Sequence, residues 1–219
     1  MAQITSRIRR KYSNLKSSLN HSLTEVTAEM LDGITKIRSY AFYNCTSLSS
    51  VTIPNSVTFM GDNVFYNCTS LSSVTIPNSV TRIGDNVFYN CTSLSSVTIS
   101  NSVTRIGDNV FYNCPSLTSV TIPNSVTIIG SYTFYNCKHL TSVTIPNSVL
   151  NIGDLAFYYC SMLSSVTVES ATPPRLGSNA FLFTRSSLVI YVPAESVDAY
   201  KSANTWSNYA SRIQAIPSE

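Results

Sequence analysis

The sequence predicts an α/β repeat fold, a solenoid of stacked coils with one short strand per coil. Three observations predict it. The tetrad Phe-Tyr-Asn-Cys at residues 42–45 returns from Phe65, Phe88, Phe111 and Phe134, a step of 23 residues. Cys45, Cys68, Cys91, Cys114, Cys137 and Cys160 keep that step. Within a unit, Val74 and Ile76 alternate with Ser73 and Thr75, which is the period of a strand. A fixed period of this size means units that cannot bury their apolar face alone and share one core by stacking.

Each residue of the unit has a part in that scheme. Leu71, Val74 and Ile76 match a Leu-x-x-Leu-x-Leu core. Pro77 ends the strand, since it has no N–H for a ladder. Val80 and Ile83 return to the core, and Gly84 marks a tight turn or an unusual backbone angle. Val87, Phe88 and Cys91 fill the outer wall through a single helical turn. The cysteines all stand three residues after a buried Phe, where a small apolar side chain fits. Stacked free thiols are therefore expected. A disulfide is the alternative that the coil spacing of about 5 Å permits, and zinc would need paired short spacings and histidines. The Asn row from Asn44 to Asn136 is expected to bond backbone groups in each turn. The Tyr row, Tyr43, Tyr66, Tyr89, Tyr112, Tyr135 and Tyr158, either shields the core or presents an adhesive stripe.

The ends depart from the repeat. Ile4, Ile8, Tyr12, Leu15, Leu19, Leu23, Val26 and Met30 form one apolar stripe on a helix, with Gly33 as its stop. Arg7, Arg9, Arg10, Lys11 and Lys16 make this segment basic, and it lacks the apolar stretch of a secretory signal. Residues 1–32 are thus a cap on the first coil, a docking or oligomerisation helix contacting through Ile4, Ile8, Tyr12, Leu15 and Leu19, or a membrane-surface helix. Residues 33–193 form a solenoid of seven coils. Residues 194–219 form a helical cap, with Ser196 starting a helix through Val197, Tyr200 and Trp206 toward Ile213 and Ile216, and Trp206 packing against the last coil.

Composition narrows the function classes. Charged residues are 11% of the chain, against about a quarter in ordinary globular domains; Ser, Thr and Asn fill the surface instead. A net charge of +3 is too small to imply nucleic acid. No apolar run is long enough to span a membrane. His21 and His139 are isolated. Asp62, Asp85, Asp108 and Asp154 supply one acid per coil and face no base, which suits neither catalysis nor calcium. No catalytic, cofactor or metal site is expected.

The phrase Val-Thr-Ile-Pro-Asn-Ser-Val-Thr from Val74, then Ile83-Gly84 and Phe88-x-x-Cys91-x-x-Leu94, resembles the BspA-like (treponemal) leucine-rich repeat family. The tail from Tyr191 to Lys201, with Trp206-Ser-Asn-Tyr209, resembles that family's C-terminal end. The resemblance covers residues 34–216. It implies a right-handed leucine-rich repeat solenoid with a parallel sheet on the concave side. It also implies non-enzymatic surface proteins, several of them adhesins; such repeats occur in phage proteins too. The concave face is then expected to display Ser50, Thr52, Ser73, Thr75, Ser96, Thr98, Ser119, Thr121, Ser142 and Thr144 to a protein or glycan. Arg82, Arg105, Lys138 and His139 vary between coils and are the candidates for specificity. The alternative is a component of a larger assembly such as a virion, docked through residues 1–32.

Overall fold

The computed structural model describes residues 22–218. Two apolar patterns per unit produce two parallel ladders. The first contains Ser50–Val51, Ser73–Thr75 and Ser96–Thr98, and further along Ser142–Ile145, Ser165–Val168 and Val189–Val192. Its strands form two four-stranded parallel sheets. The register joins equivalent residues: Ser73 to Ser96, Val74 to Val97 and Thr75 to Thr98. The second ladder is a seven-stranded sheet of two-residue strands, running from Lys36–Ile37 to Arg175–Leu176.

The core lies between the ladders. Phe42, Phe65, Phe88, Phe111, Phe134, Phe157 and Phe181 stack in one column with centroids 5.1–5.6 Å apart. The six cysteines are free and buried. The Cys91 thiol donates to the Phe65 carbonyl at 3.1 Å and the Cys160 thiol to that of Phe134 at 3.0 Å. Burial pushes the Cys45 thiol up to about 11 and that of Cys137 to about 12.

The outer wall is built differently from the expected helical turn. Each coil reverses through residues in the left-handed region, such as Asn86 (φ 56°) and Asn90 (φ 57°). Asn enters this conformation more readily than most residues with a side chain. In the row from Asn44 to Asn136 the side chains bond one another rather than the backbone: Asn90 Nδ2 donates to Asn67 Oδ1 at 2.5 Å, and Asn113 and Asn136 continue the row. Tyr132, Leu155, Tyr159 and Phe183 take the same left-handed positions. For such residues the conformation costs about 1 kcal/mol or more. Gly84 is required for close approach, not for its backbone angle. A Cβ there would sit 2.5 Å from Asp62 Oδ1 and 3.0 Å from the Gly61 carbonyl. Gly33, by contrast, does adopt a positive φ of 71°.

Both ends of the array reach beyond the expected boundaries. The helical stripe does not continue through Val26 and Met30. Glu25–Val26 is a strand paired with Ser50–Val51, and Glu29–Leu31 is a short 3-10 turn. Ladder bonds and the burial of Val26 and Leu31 outweigh the helical spacing there. The C-terminal helix is short, Val197–Ser202, and Ser196 makes no side-chain capping bond. A 3-10 segment, Trp206–Arg212, follows. Ile213–Ala215 is then a strand parallel to Val189–Val192, not the end of a helix. Trp206 covers the last coil: its ring lies 6.1 Å from Phe181 and 5.0 Å from Tyr200, and Nε1 donates to the Pro174 carbonyl at 2.7 Å.

Two outcomes follow from this core. Phe111→Ala removes a ring stacked on both sides and should cost about 3–5 kcal/mol in chemical denaturation; an unchanged midpoint would contradict the packing. A thiol with a raised folded pKa holds its proton more tightly when folded. Its stabilisation is complete below the ordinary value of 9.0 and is lost as pH rises toward about 11 for Cys45. Melting temperature should therefore drop across that interval, and Cys45→Ala should soften the drop.

Candidate functional site

The strand period places Ser50, Thr52, Ser73, Thr75, Ser96, Thr98, Ser119, Thr121, Ser142 and Thr144 on one exposed face, while Val51, Val74, Val97 and Val143 point inward. The face is not uniform. Between Ser96–Thr98 and Ser142–Ile145 the first ladder lapses, which is why it forms two sheets. Among the described residues, the backbone N–H and C=O groups of Ser119, Val120, Thr121 and Ile122 make no inter-coil bond. The flanking bonds are long, with Thr118 N to Ser95 O at 3.4 Å and Thr141 N to Thr118 O at 3.5 Å. This coil also carries Pro115 where its predecessors have Thr69 and Thr92.

A shallow depression of about 410 Å³ lies at the lapse. Its polar rim is Ser119, Thr121, Asn124, Ser142, Thr144 and Glu169, and its floor includes Val120 and Val143. Hydroxyl, amide and carboxylate groups here offer both donors and acceptors. The site is therefore chemically suited to a hydroxyl-rich, uncharged ligand.

The other expected residues fall elsewhere. Arg82 and Arg105 are direct partners on the second ladder, both exposed, followed by Ile128. They lie on a different sheet from the depression. Lys138 and His139 are exposed on the turn leading into Leu140, where His139 Nδ1 lies 2.6 Å from the Pro115 carbonyl. Ile4, Ile8, Tyr12, Leu15 and Leu19 lie outside the described residues. Among the described residues, no group of three or more His, Cys, Asp or Glu side chains is placed to hold a metal. No helix of the described residues is long and apolar enough to cross a membrane.

Sequence reasoning did not single out Tyr132, Tyr159 and Phe183. All three are exposed aromatics on the outer wall. The available signal was their motif position, where neighbouring coils carry Asn109, Asn113 or Asn136. The Tyr row itself is a column of parallel rings: Tyr66, Tyr89, Tyr112 and Tyr135 follow one another at 4.5 Å.

Solved structures share this architecture. The chain is 28% identical to a leucine-rich repeat protein from Eubacterium ventriosum, with a TM-score of 0.66 over 76% of this chain and 44% of that one. A leucine-rich repeat protein from Bacteroides ovatus gives 27% identity and a TM-score of 0.56, covering 77% and 55%. The chain thus spans about half the length of these two proteins. The T. pallidum leucine-rich repeat protein, at 24% identity and a TM-score of 0.53 over 89% and 87%, shares the fold. None of the curated proteins matches the chain. The model of the BspA type leucine-rich repeat region matches residues 16–141 and 104–205, the span that carries the stacked phenylalanines, the thiol row, the second ladder and the first ladder as far as Val189–Val192. The chain belongs to the BspA-type leucine-rich repeat family.

Proposed function

We propose that the protein is a non-enzymatic, adhesin-like binding scaffold whose Ser/Thr face recognises a glycan. The depression at the ladder lapse carries this reading. There, among the described residues, the Ser119–Ile122 backbone makes no inter-coil bond, and the hydroxyls of Ser119, Thr121, Ser142 and Thr144 line the depression. A sugar hydroxyl is both donor and acceptor and matches such a mixed lining. Glu169, which stands where other coils carry Pro77, Pro123 and Pro146, differentiates the site from the repeated Ser, Thr and Asn, as selectivity requires. A protein edge is the other ligand that a flat polar face accommodates.

Binding to an array of glycans and matrix proteins tests this. Ser119→Tyr and Thr121→Tyr fill the depression from exposed positions and should weaken any glycan captured by the wild type at least about tenfold. Silence across the array, or equal capture by both variants, would remove the proposal.

Charge distribution favours a second reading, docking into a larger assembly. Residues 1–21 hold five basic and no acidic residues, a charge of +5. The remaining residues hold nine basic and eleven acidic ones, a charge of −2. Light scattering on the whole chain and on a form lacking residues 1–21 distinguishes the cases. Docking or self-association through this segment predicts a smaller particle without it; a monomer in both forms counts against it.

A further inference from the structure

The outer wall of the last coils carries a feature that the Ser/Thr face does not use. Tyr132, Tyr135, Tyr158, Tyr159 and Phe183 form one connected aromatic cluster. Tyr132 lies 6.0 Å from Tyr135, and Tyr135 stacks on Tyr158 at 5.2 Å. Phe183 stands perpendicular to Tyr158 at 5.2 Å and stacks on Tyr159 at 4.9 Å. Tyr159 is 44% and Phe183 52% exposed. Large apolar side chains are not exposed in this way between Phe59 and Tyr132, so the cluster is local.

Tyr135 and Tyr158 continue the repeat's Tyr column, whereas Tyr132, Tyr159 and Phe183 take positions where other coils carry Asn. Tyr159 follows Asn136 in the left-handed row, with φ 60° in both. The Asn ladder, in which Asn136 Nδ2 donates to Asn113 at 2.6 Å, stops there. The chain thus gives up a ladder bond, and a residue that tolerates the backbone, in order to display aromatic surface. Exposed Lys138 and Arg185 stand along one edge, two residues beyond Asn136 and Phe183 respectively, with exposed Met162 between them in the coil order. On the opposite edge the Tyr132 N–H donates to the Asp154 carbonyl at 2.8 Å, and the exposed Asp154 carboxylate accepts the Ser178 N–H at 2.7 Å.

Tyr, Phe, Met and Arg together are the composition of protein–protein contact centres. We propose that this cluster is a docking surface for a protein partner that presents apolar side chains bordered on one edge by acidic ones. The cationic edge of Lys138 and Arg185 selects an acidic segment of that partner. Mutual stacking of Tyr159 and Phe183 selects it over a sugar, since the ring faces are turned to each other.

The double variant Tyr159→Asn/Phe183→Asn tests this, because it restores the residue the repeat prefers. Its melting temperature should equal or exceed that of the wild type; a fall of several degrees would mean that the rings serve packing. A random dodecapeptide library displayed on phage supplies the probe. Peptides enriched on the wild type should pair aromatic or aliphatic residues with Asp or Glu and bind the variant at least about tenfold more weakly. No enrichment over an unrelated protein, peptides without acidic residues, or equal binding to both forms would overturn the proposal. So would a wild-type dimer in light scattering that the variant abolishes.

Discussion

Every coil of this protein must present to its neighbours the same shape that they present to it. The coils are held at the spacing of a β-ladder, so the residue above and below any core side chain is its own equivalent one unit away. Phe stacks on Phe, thiol follows thiol, and Asn bonds Asn. Gly84 shows how strict the spacing is, since even a methyl group would meet the preceding coil. The chain therefore has little freedom inside and repeats itself from necessity.

That constraint separates architecture from recognition. Thiols with pKa values pushed up by burial are poor nucleophiles and poor metal ligands, so the most conspicuous residues of the motif are chemically quiet. Diversity is confined to positions that no neighbour dictates. On the first ladder it takes the form of a lapse in pairing at Ser119–Ile122. On the outer wall it takes the form of aromatic residues in an Asn position. The two departures lie on different walls of the solenoid and have opposite chemistry, one hydroxylic and one aromatic.

The architecture is legible in the sequence because repetition fixes phase: once Val74 and Ile76 are assigned inward, every equivalent position follows. Gly84 stands out as special, though its reason, contact with Gly61 and Asp62, depends on the preceding coil and not on its own surroundings in the chain. The Asn row is assignable to turns, but its bonding partners are other Asn side chains, which local sequence cannot display. Val26 and Ile213 mislead because helical spacing and a single buried strand residue look alike in a short segment; pairing with Ser50–Val51 and Val189–Val192 decides them. The ladder lapse has no sequence signal beyond Pro115. Tyr159 and Phe183 do have one, since a mismatch in a strict repeat stands out in the residue order alone.

The column of matched neighbours also bears on how such a chain lengthens. The unit from Leu71 differs from the one starting at Leu94 only at Pro77 against Ser100 and Thr92 against Pro115. A duplicated unit inserted between them would meet, on each side, the surface it already fits, and the phenylalanine column would run on through it unbroken. Tyr200, Trp206 and Tyr209, which fit only the last coil, have no such interchangeability. Gain or loss of whole coils is thereby tolerated in the interior and forbidden at the ends, so the reach of the molecule can change by duplication while its termini stay fixed.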